Sequence, residues 1–427
     1  MGSNENVSGL TVDLLPGEHI DEPAPTQIRQ PSDAELNERY TKEGVRIVTE
    51  SARYPLHQIR SMFSDTFETE SGDTEFTYKR DPDYQRRHRW DDTRKSRLIE
   101  SFLLNVPVPP IFLYENDLAR YEVMDGRQRL SALLEFYTDA LELTDLQYWP
   151  ELNGRRYTSL PTSIRNGIDR RYLSSIILLN ETATSEEQAA FLKKLVFERL
   201  NSGGVRLTSQ ETRNAIYSGP MNDLCLELSR IAELRAMLGT PDPELATPWE
   251  NRDDDPSEDD ADTAVSETNL GRKMFETMED VEIVLRFFAY RHLRKFPQGL
   301  NRISEFLDTF LMKANKFDAS TIAGYKEIFT ENMKFWYALG GPTAFQVPGS
   351  NRHFSKIAFD ALMYASSALT AEQRSALLNS PETVHEATTQ MYATHRDTFG
   401  GRKTNTVDAH RRNDAALVAL NAALTRI

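Results

Sequence analysis

The chain has one cysteine, Cys225, in 427 residues. That excludes an internal disulfide and leaves too few thiolates for a cysteine metal site. It lacks any run of about 18 apolar residues, the length a membrane-crossing helix needs, and no membrane partner is expected. The N-terminus lacks a secretory signal pattern, so the expected compartment is the cytoplasm. Positive charge is also in deficit: the formal net charge is −15 at pH 7. This excludes a protein that coats nucleic acid with its whole surface and leaves room for a local basic groove only. What is present, 39% hydrophobic and 10% aromatic residues, suits a globular protein with two domains, or one domain with an appended helical part.

The stretch that organises the rest is Tyr121-Glu-Val-Met-Asp-Gly-Arg-Gln-Arg129. Tyr121 to Met124 reads as a short strand, Asp125-Gly126 punctuates it, and Leu130, Leu133, Leu134 and Tyr137 mark one face of a helix. Helix N-termini attract anions, and Arg127 and Arg129 in the first turn add cationic forks suited to phosphate. Asp125 stands at a strand end, where α/β folds place working residues. The competing structural reading makes Asp125 an N-cap, Gly126 a turn residue and the arginines solvated surface.

Along the chain, residues 1–44 are poor in large apolar side chains and read as a flexible tail. Residues 79–97 are densely basic, with Tyr84 and Trp90 interleaved, a composition that fits either nucleotide stacking or a solvated loop. A helix is expected from about Thr93 to Leu104, capped by Asp92 or Thr93 and stopped by Val106-Pro-Val-Pro-Pro110. Strands are expected at Ile111–Tyr114 and Tyr172–Leu179, with a turn at Glu115-Asn-Asp117. A helix running through Leu192 and Arg199 ends at Asn201-Ser-Gly-Gly204, and Thr208 with Glu211 forms a capping box for the next. Seven acids lie between Asp253 and Asp262, so 241–270 reads as an acidic linker or loop. Residues 271–427 carry helical periodicity almost throughout and read as a bundle.

Four ordered motifs together resemble a known family. They are Tyr84-Gln85-Arg86 with Trp90; Leu98-Ile-Glu-Ser101 leading to Pro107-Val-Pro109; Val123 to Leu130; and Phe197–Asn201 with Gly203-Gly204, Leu207-Thr208 and Glu211–Asn214. The pattern is similar to the N-terminal domain of GmrSD-type restriction endonucleases, whose hallmark is Asp-Gly-Gln-Gln-Arg, and covers roughly residues 45–240. The resemblance implies a small mixed-sheet, ParB/sulfiredoxin-like domain with helices over 45–240; with the helical pattern of 271–427 the chain is expected to be an α+β fold followed by a mostly α-helical bundle domain. It implies nucleoside triphosphate binding and hydrolysis within bacterial restriction or anti-phage defence. Arg127 departs from the family's usual Gln, and 271–427 shows no His-Asn-His nuclease arrangement. Cutting of DNA would therefore fall to a partner nuclease.

The site expected on this basis uses Arg86 and Arg129 to clamp phosphates, with Arg127 assisting. Asp125 would hold Mg²⁺ or orient water, and Gln85 and Gln128 would bond ribose, base or phosphate. Gly126 would allow close backbone approach, with Asn201 and Arg213 in support. On this reading Arg129→Ala removes nucleotide-dependent stabilisation and leaves the fold intact. The alternatives are a non-catalytic nucleotide or DNA sensor and a DNA-nicking enzyme using the motif itself. Direct DNA contact and homo-oligomer formation stay open.

Overall fold

The structure, a computed structural model, describes residues 10–18, 20, 32–38, 48–62, 64–68, 74–79, 90–179, 186–200, 208–241, 268–293, 303–350, 354–399 and 406–427. The acidic 253–262 segment, the Asn-Ser-Gly-Gly turn at 201–204 and the basic stretch at 80–89 lie outside them. Contacts divide the chain into two compact units, one of Arg29–Leu207 with Pro248–Arg252, the other of Met1–Ile28, Thr208–Thr247 and Asp253–Ile427. The chain is an α+β fold followed by a helical region, as the residue pattern suggests.

The first unit comprises α1 (Asp33–Glu38), β1 (Thr49–Pro55), α2 (Ile59–Met62), β2 (Thr66–Glu68), β3 (Thr74–Phe76), β4 (Tyr78–Lys79), α3 (Asp92–Leu104), β5 (Ile111–Asp117), β6 (Arg120–Asp125), α4 (Arg127–Tyr137), α5 (Thr162–Asp169), β7 (Tyr172–Leu178) and α6 (Glu186–Leu200). Five strands form one mixed sheet in the order β1-β7-β5-β6-β4. The β5–β6 and β1–β7 pairs are antiparallel, and β5–β7 and β4–β6 are parallel. The sheet curls, as right-handed strand twist favours: Tyr54 on β1 and Tyr78 on β4, from opposite edges, have ring centroids 6.1 Å apart. Period-two alternation sends Ile111, Leu113, Val123, Leu173 and Ile177 to one face. There they pack with Leu98, Ile99 and Phe102 of α3 and Leu130, Leu133 and Phe136 of α4. Burying this set supplies most of the unit's stability.

Local chemistry sets the element ends. Asp91, rather than the expected Asp92 or Thr93, caps α3, its carboxylate accepting the Arg94 N–H at 2.6 Å. At the other end Asn105 adopts the left-handed conformation, φ 58°, which asparagine tolerates better than most residues, just ahead of the prolines. β5 runs through the expected turn at Glu115-Asn-Asp117. The chain reverses at Leu118-Ala119 instead, where Asp117 accepts the Leu118 N–H at 2.8 Å. Irregular register along β5–β6 keeps this polar run in the ladder, and the Asn116 amide donates across to Glu122 at 3.2 Å.

The second unit holds α7 (Ser209–Ile216), α8 (Pro220–Leu228), α9 (Ala232–Leu238), α10 (Asn269–Glu276), α11 (Glu279–Tyr290), α12 (Ile303–Ala314), α13 (Ala319–Gly340), α14 (Lys356–Ser366), α15 (Ala371–Leu378), α16 (Pro381–Thr394), α17 (Arg396–Phe399) and α18 (Thr406–Leu424). The Thr208–Glu211 capping box forms as expected: Thr208 Oγ1 accepts the Glu211 N–H at 3.2 Å, and the Glu211 carboxylate accepts the Thr208 N–H at 2.7 Å. The expected domain edge at 240 falls inside this unit, because α7 to α9 pack with its helices. The reading of 1–44 as a flexible tail also meets an exception. The Glu18 carboxylate is buried against His292 at 2.8 Å and Arg291 at 3.3 Å, and Arg291 donates to the Asp13 carbonyl at 2.7 Å. Burial alone would raise the Glu18 pKa, but the hydrogen bond from His292 and the charge of Arg291 outweigh it and hold it at about 2.

Candidate functional site

The motif forms a strand, a one-residue turn and a helix. β6 ends at Asp125, Gly126 is the N-cap of α4, and Arg127 opens the helix. Glycine is required here on two counts. Its φ is +99°, and a Cβ would sit 2.4 Å from Ile111 Cγ2 and 2.9 Å from Ile111 Cβ. The strand must pass this close for β5 and β6 to stay paired beneath α4. A glycine cap also offers no side-chain acceptor to the first-turn amides, the condition under which a helix N-terminus can receive an external anion.

Each motif side chain has a distinct task. Arg129 donates to the Asp125 carboxylate at 2.6 Å and to the backbone carbonyls of Pro109 and Pro110 at 2.6 and 3.2 Å. Its side chain is 12% exposed, whereas that of Asp125 is 45% exposed. The guanidinium therefore ties the proline segment before β5 to the strand end and aims a half-exposed carboxylate. Losing it would strand carbonyls and an acid, so the expectation that Arg129→Ala leaves the fold untouched gives way to a structural cost. Arg127 turns back along β6, its Nε donating to the Val123 carbonyl at 3.1 Å. Gln128 Oε1 accepts the backbone N–H of Trp90 at 3.0 Å. That bond joins the motif helix to the residue that closes the Tyr84-to-Trp90 segment.

Gln85, Arg86 and Asn201 lie outside the described residues. Arg213 sits on α7 in the helical unit. Its guanidinium is 2% exposed and is engaged by Asp308 at 2.7 Å, Glu282 at 2.9 Å and Ser304 Oγ at 2.8 Å. It serves that unit's interior.

Three contacts escape a reading of the sequence. Glu122, on the sheet face opposite the core, pairs with Lys193 of α6 at 2.5 Å, and the Lys193 ammonium lies 5.3 Å from the Tyr114 ring centroid. Burial pushes the Glu122 carboxyl up, but Lys193, Arg127 and the Asn116 amide outweigh it and hold it below the usual carboxylate range. Glu100 of α3 is buried and accepts the backbone N–H groups of Gln147, Tyr148 and Trp149 at 3.2, 2.7 and 3.0 Å. The carbonyls of Pro109 and Pro110 complete the set. An acid inside an apolar strand or on an apolar helix face was the visible signal for the two glutamates. Nothing in the residue pattern marks a backbone carbonyl.

Residues 63–218 match the family model described as GmrSD restriction endonuclease, N-terminal domain. This stretch is a GmrSD N-terminal domain. The GmrSD match spans less than half of the chain, and its last residues, from Thr208, belong to the helical unit. No curated protein and no solved structure matches the chain. Among the described residues no helix is long and apolar enough to cross a membrane.

Among the described residues no group of three His, Cys, Asp or Glu could hold a metal ion by itself. A lone half-exposed carboxylate suits Mg²⁺ only when phosphate oxygens complete its octahedron, which is the ordinary state of a Mg²⁺–nucleotide. Asp125, beside the α4 N-terminus, offers one ligand of such a shell.

Proposed function

We propose that the GmrSD domain of this chain binds a nucleoside triphosphate at the Asp125–Arg129 turn and hydrolyses it, as one component of a bacterial restriction or anti-phage system. The observation that carries the reading is the turn itself. An acceptor-free glycine cap sets the α4 N-terminus beside an exposed carboxylate whose orientation an arginine holds.

In this scheme the phosphates meet the α4 N-terminus, where the helix dipole and the cationic side chains of the first turn neutralise charge. Bound Mg²⁺ would supply Lewis-acid neutralisation of the phosphate oxygens. Asp125 acts on that cation or on the attacking water, and Arg129 keeps it aimed. Phosphoryl transfer asks little more of a protein than positioning and charge stabilisation. Gln128, bonded to the Trp90 backbone, links the site to the segment carrying Gln85 and Arg86, which are proposed to contact phosphate or ribose. Cleavage of DNA is assigned to a partner nuclease.

A non-catalytic sensor is favoured by one observation: the Arg129 fork is already occupied by Asp125 and two carbonyls. Incubating the purified chain with each of the four NTPs and Mg²⁺ and assaying nucleoside diphosphate under single-turnover conditions separates the two. Diphosphate production that is lost in Asp125→Asn supports hydrolysis. Binding without any diphosphate assigns the chain to sensing.

A further inference from the structure

The helical unit contains a cavity of about 410 Å³ that the triphosphate reading does not use. Its walls come from the end of α13, the loop 340–349, α14 and the first three turns of α16. Among the residues facing it are Trp336, Gln346, His385, Thr388, Thr389 and Tyr392. The volume is that of a small-molecule site, a class spanning about 300–1,000 Å³.

The lining defines the ligand. Among the described residues no Asp, Glu, Lys or Arg lines the cavity, so it has no charge with which to recognise a phosphate or carboxylate. Two large aromatic side chains offer apolar, polarisable walls. The polar groups between them are neutral and held in place. The Gln346 amide nitrogen donates to the Ser350 carbonyl at 2.9 Å, which orients the side chain and leaves Oε1 as an acceptor. The Thr388 hydroxyl donates to the Val384 carbonyl at 2.9 Å. His385 and Thr389 are exposed at the rim.

The Tyr392 hydroxyl is buried with no partner among the described residues. That oxygen is itself closed off from solvent, so the cavity meets Tyr392 through its ring. Aromatic walls around oriented neutral donors and acceptors match a flat heterocycle with hydrogen-bonding edges.

We infer that this cavity is a binding site for an uncharged heteroaromatic ring of nucleobase size. The ring arrives either as a free nucleoside or as an unpaired base of a single strand. No residue of the Asp125 turn lines the cavity, so ligand binding here is tested without reference to hydrolysis there.

The test uses the full chain. Adenosine, guanosine, cytidine and uridine, each at millimolar concentration, and a short single-stranded oligodeoxynucleotide of mixed sequence are titrated separately. Binding is followed by saturation-transfer NMR and by quenching of Trp336 fluorescence, isolated by difference from Trp336→Phe. The double variant His385→Trp/Thr389→Leu fills the rim with exposed apolar bulk and leaves the buried wall alone. A wild-type melting curve for it establishes the fold.

At least one probe should bind wild type, and the double variant should weaken it about tenfold or more. Nucleoside binding identifies the free molecule as ligand, and binding of the oligonucleotide alone identifies the unpaired base. Asp125→Asn should leave either result unchanged. No binding by any probe, or binding that the filled rim does not weaken, overturns the assignment.

Discussion

Replacing Arg129 tests whether the motif arginine is a strut of the domain as well as part of its site. The wild-type guanidinium makes one charge-assisted bond to Asp125 and donates to two proline carbonyls, while only 12% of the side chain is exposed. Hydrogen bonds to charged groups contribute about 1.5–3 kcal/mol each, and stranding a partly buried acceptor costs about 1–3 kcal/mol. Water can reach the half-exposed Asp125 and the surface Pro109 carbonyl once the guanidinium is gone, so Arg129→Ala should cost about 1.5–3 kcal/mol, against a typical total of about 5–15 kcal/mol for a domain.

Arg129→Lys keeps the charge and can reach Asp125, but one ammonium cannot span the carboxylate and both carbonyls. It should recover part of the loss. Because the chain has two compact units, a single melting temperature is a poor readout. Amide hydrogen exchange over peptides covering residues 108–131 reports the local effect. Faster exchange there in Arg129→Ala, with intermediate rates in Arg129→Lys, is expected. Wild-type exchange in both variants would refute the strut.

Three further perturbations probe separate parts of the account. Gly126→Ala must place a Cβ 2.4 Å from Ile111 Cγ2 at a φ of +99°; a loss of at least about 1–3 kcal/mol is expected, read as faster amide exchange over residues 108–131. Glu18 is held near pKa 2, below its ordinary 4.5, so its contribution is fully present above about pH 4.5 and is lost as pH falls toward 2, with an upper size of about 3 kcal/mol. Acid titration of Glu18→Gln should show a correspondingly flatter decline in stability than wild type over that window. Arg213→Leu leaves Glu282 and Asp308 without their shared cation; it should cost about 3–5 kcal/mol in urea unfolding and leave nucleotide binding by the surviving folded protein unchanged.

Much of the first unit was legible because its signals are local. Of the expected helical face, Leu130, Leu133 and Tyr137 join the core, while Leu134 is only half-buried and Phe136 is buried instead; Asp125-Gly126 marks a turn that α4 begins after, at Arg127. The β5 hairpin was misjudged because Asn116 and Asp117 favour turns by composition. Here the Asn116 amide finds Glu122 instead, and the ladder continues. The role of Arg213 was hidden because a motif records which residues recur and not whether they face a ligand or a core. Its partners Glu282 and Asp308 lie far along the chain, at separations of 69 and 95 residues. The docking of Glu18 has the same cause: a polar, proline-rich N-terminus reads as a tail until Arg291, His292 and Tyr325 are seen around the Glu18 carboxylate.

The proposed triphosphate site at the Asp125–Arg129 turn is open to a direct measurement. Hydrogen exchange of the wild-type chain with and without a Mg²⁺–NTP, read at peptides spanning residues 121–131, tests it most directly. Slower exchange at the first turn of α4 is expected when nucleotide is present, and no such slowing in Asp125→Ala. Nucleotide that binds the chain while leaving these amides unchanged would contradict it.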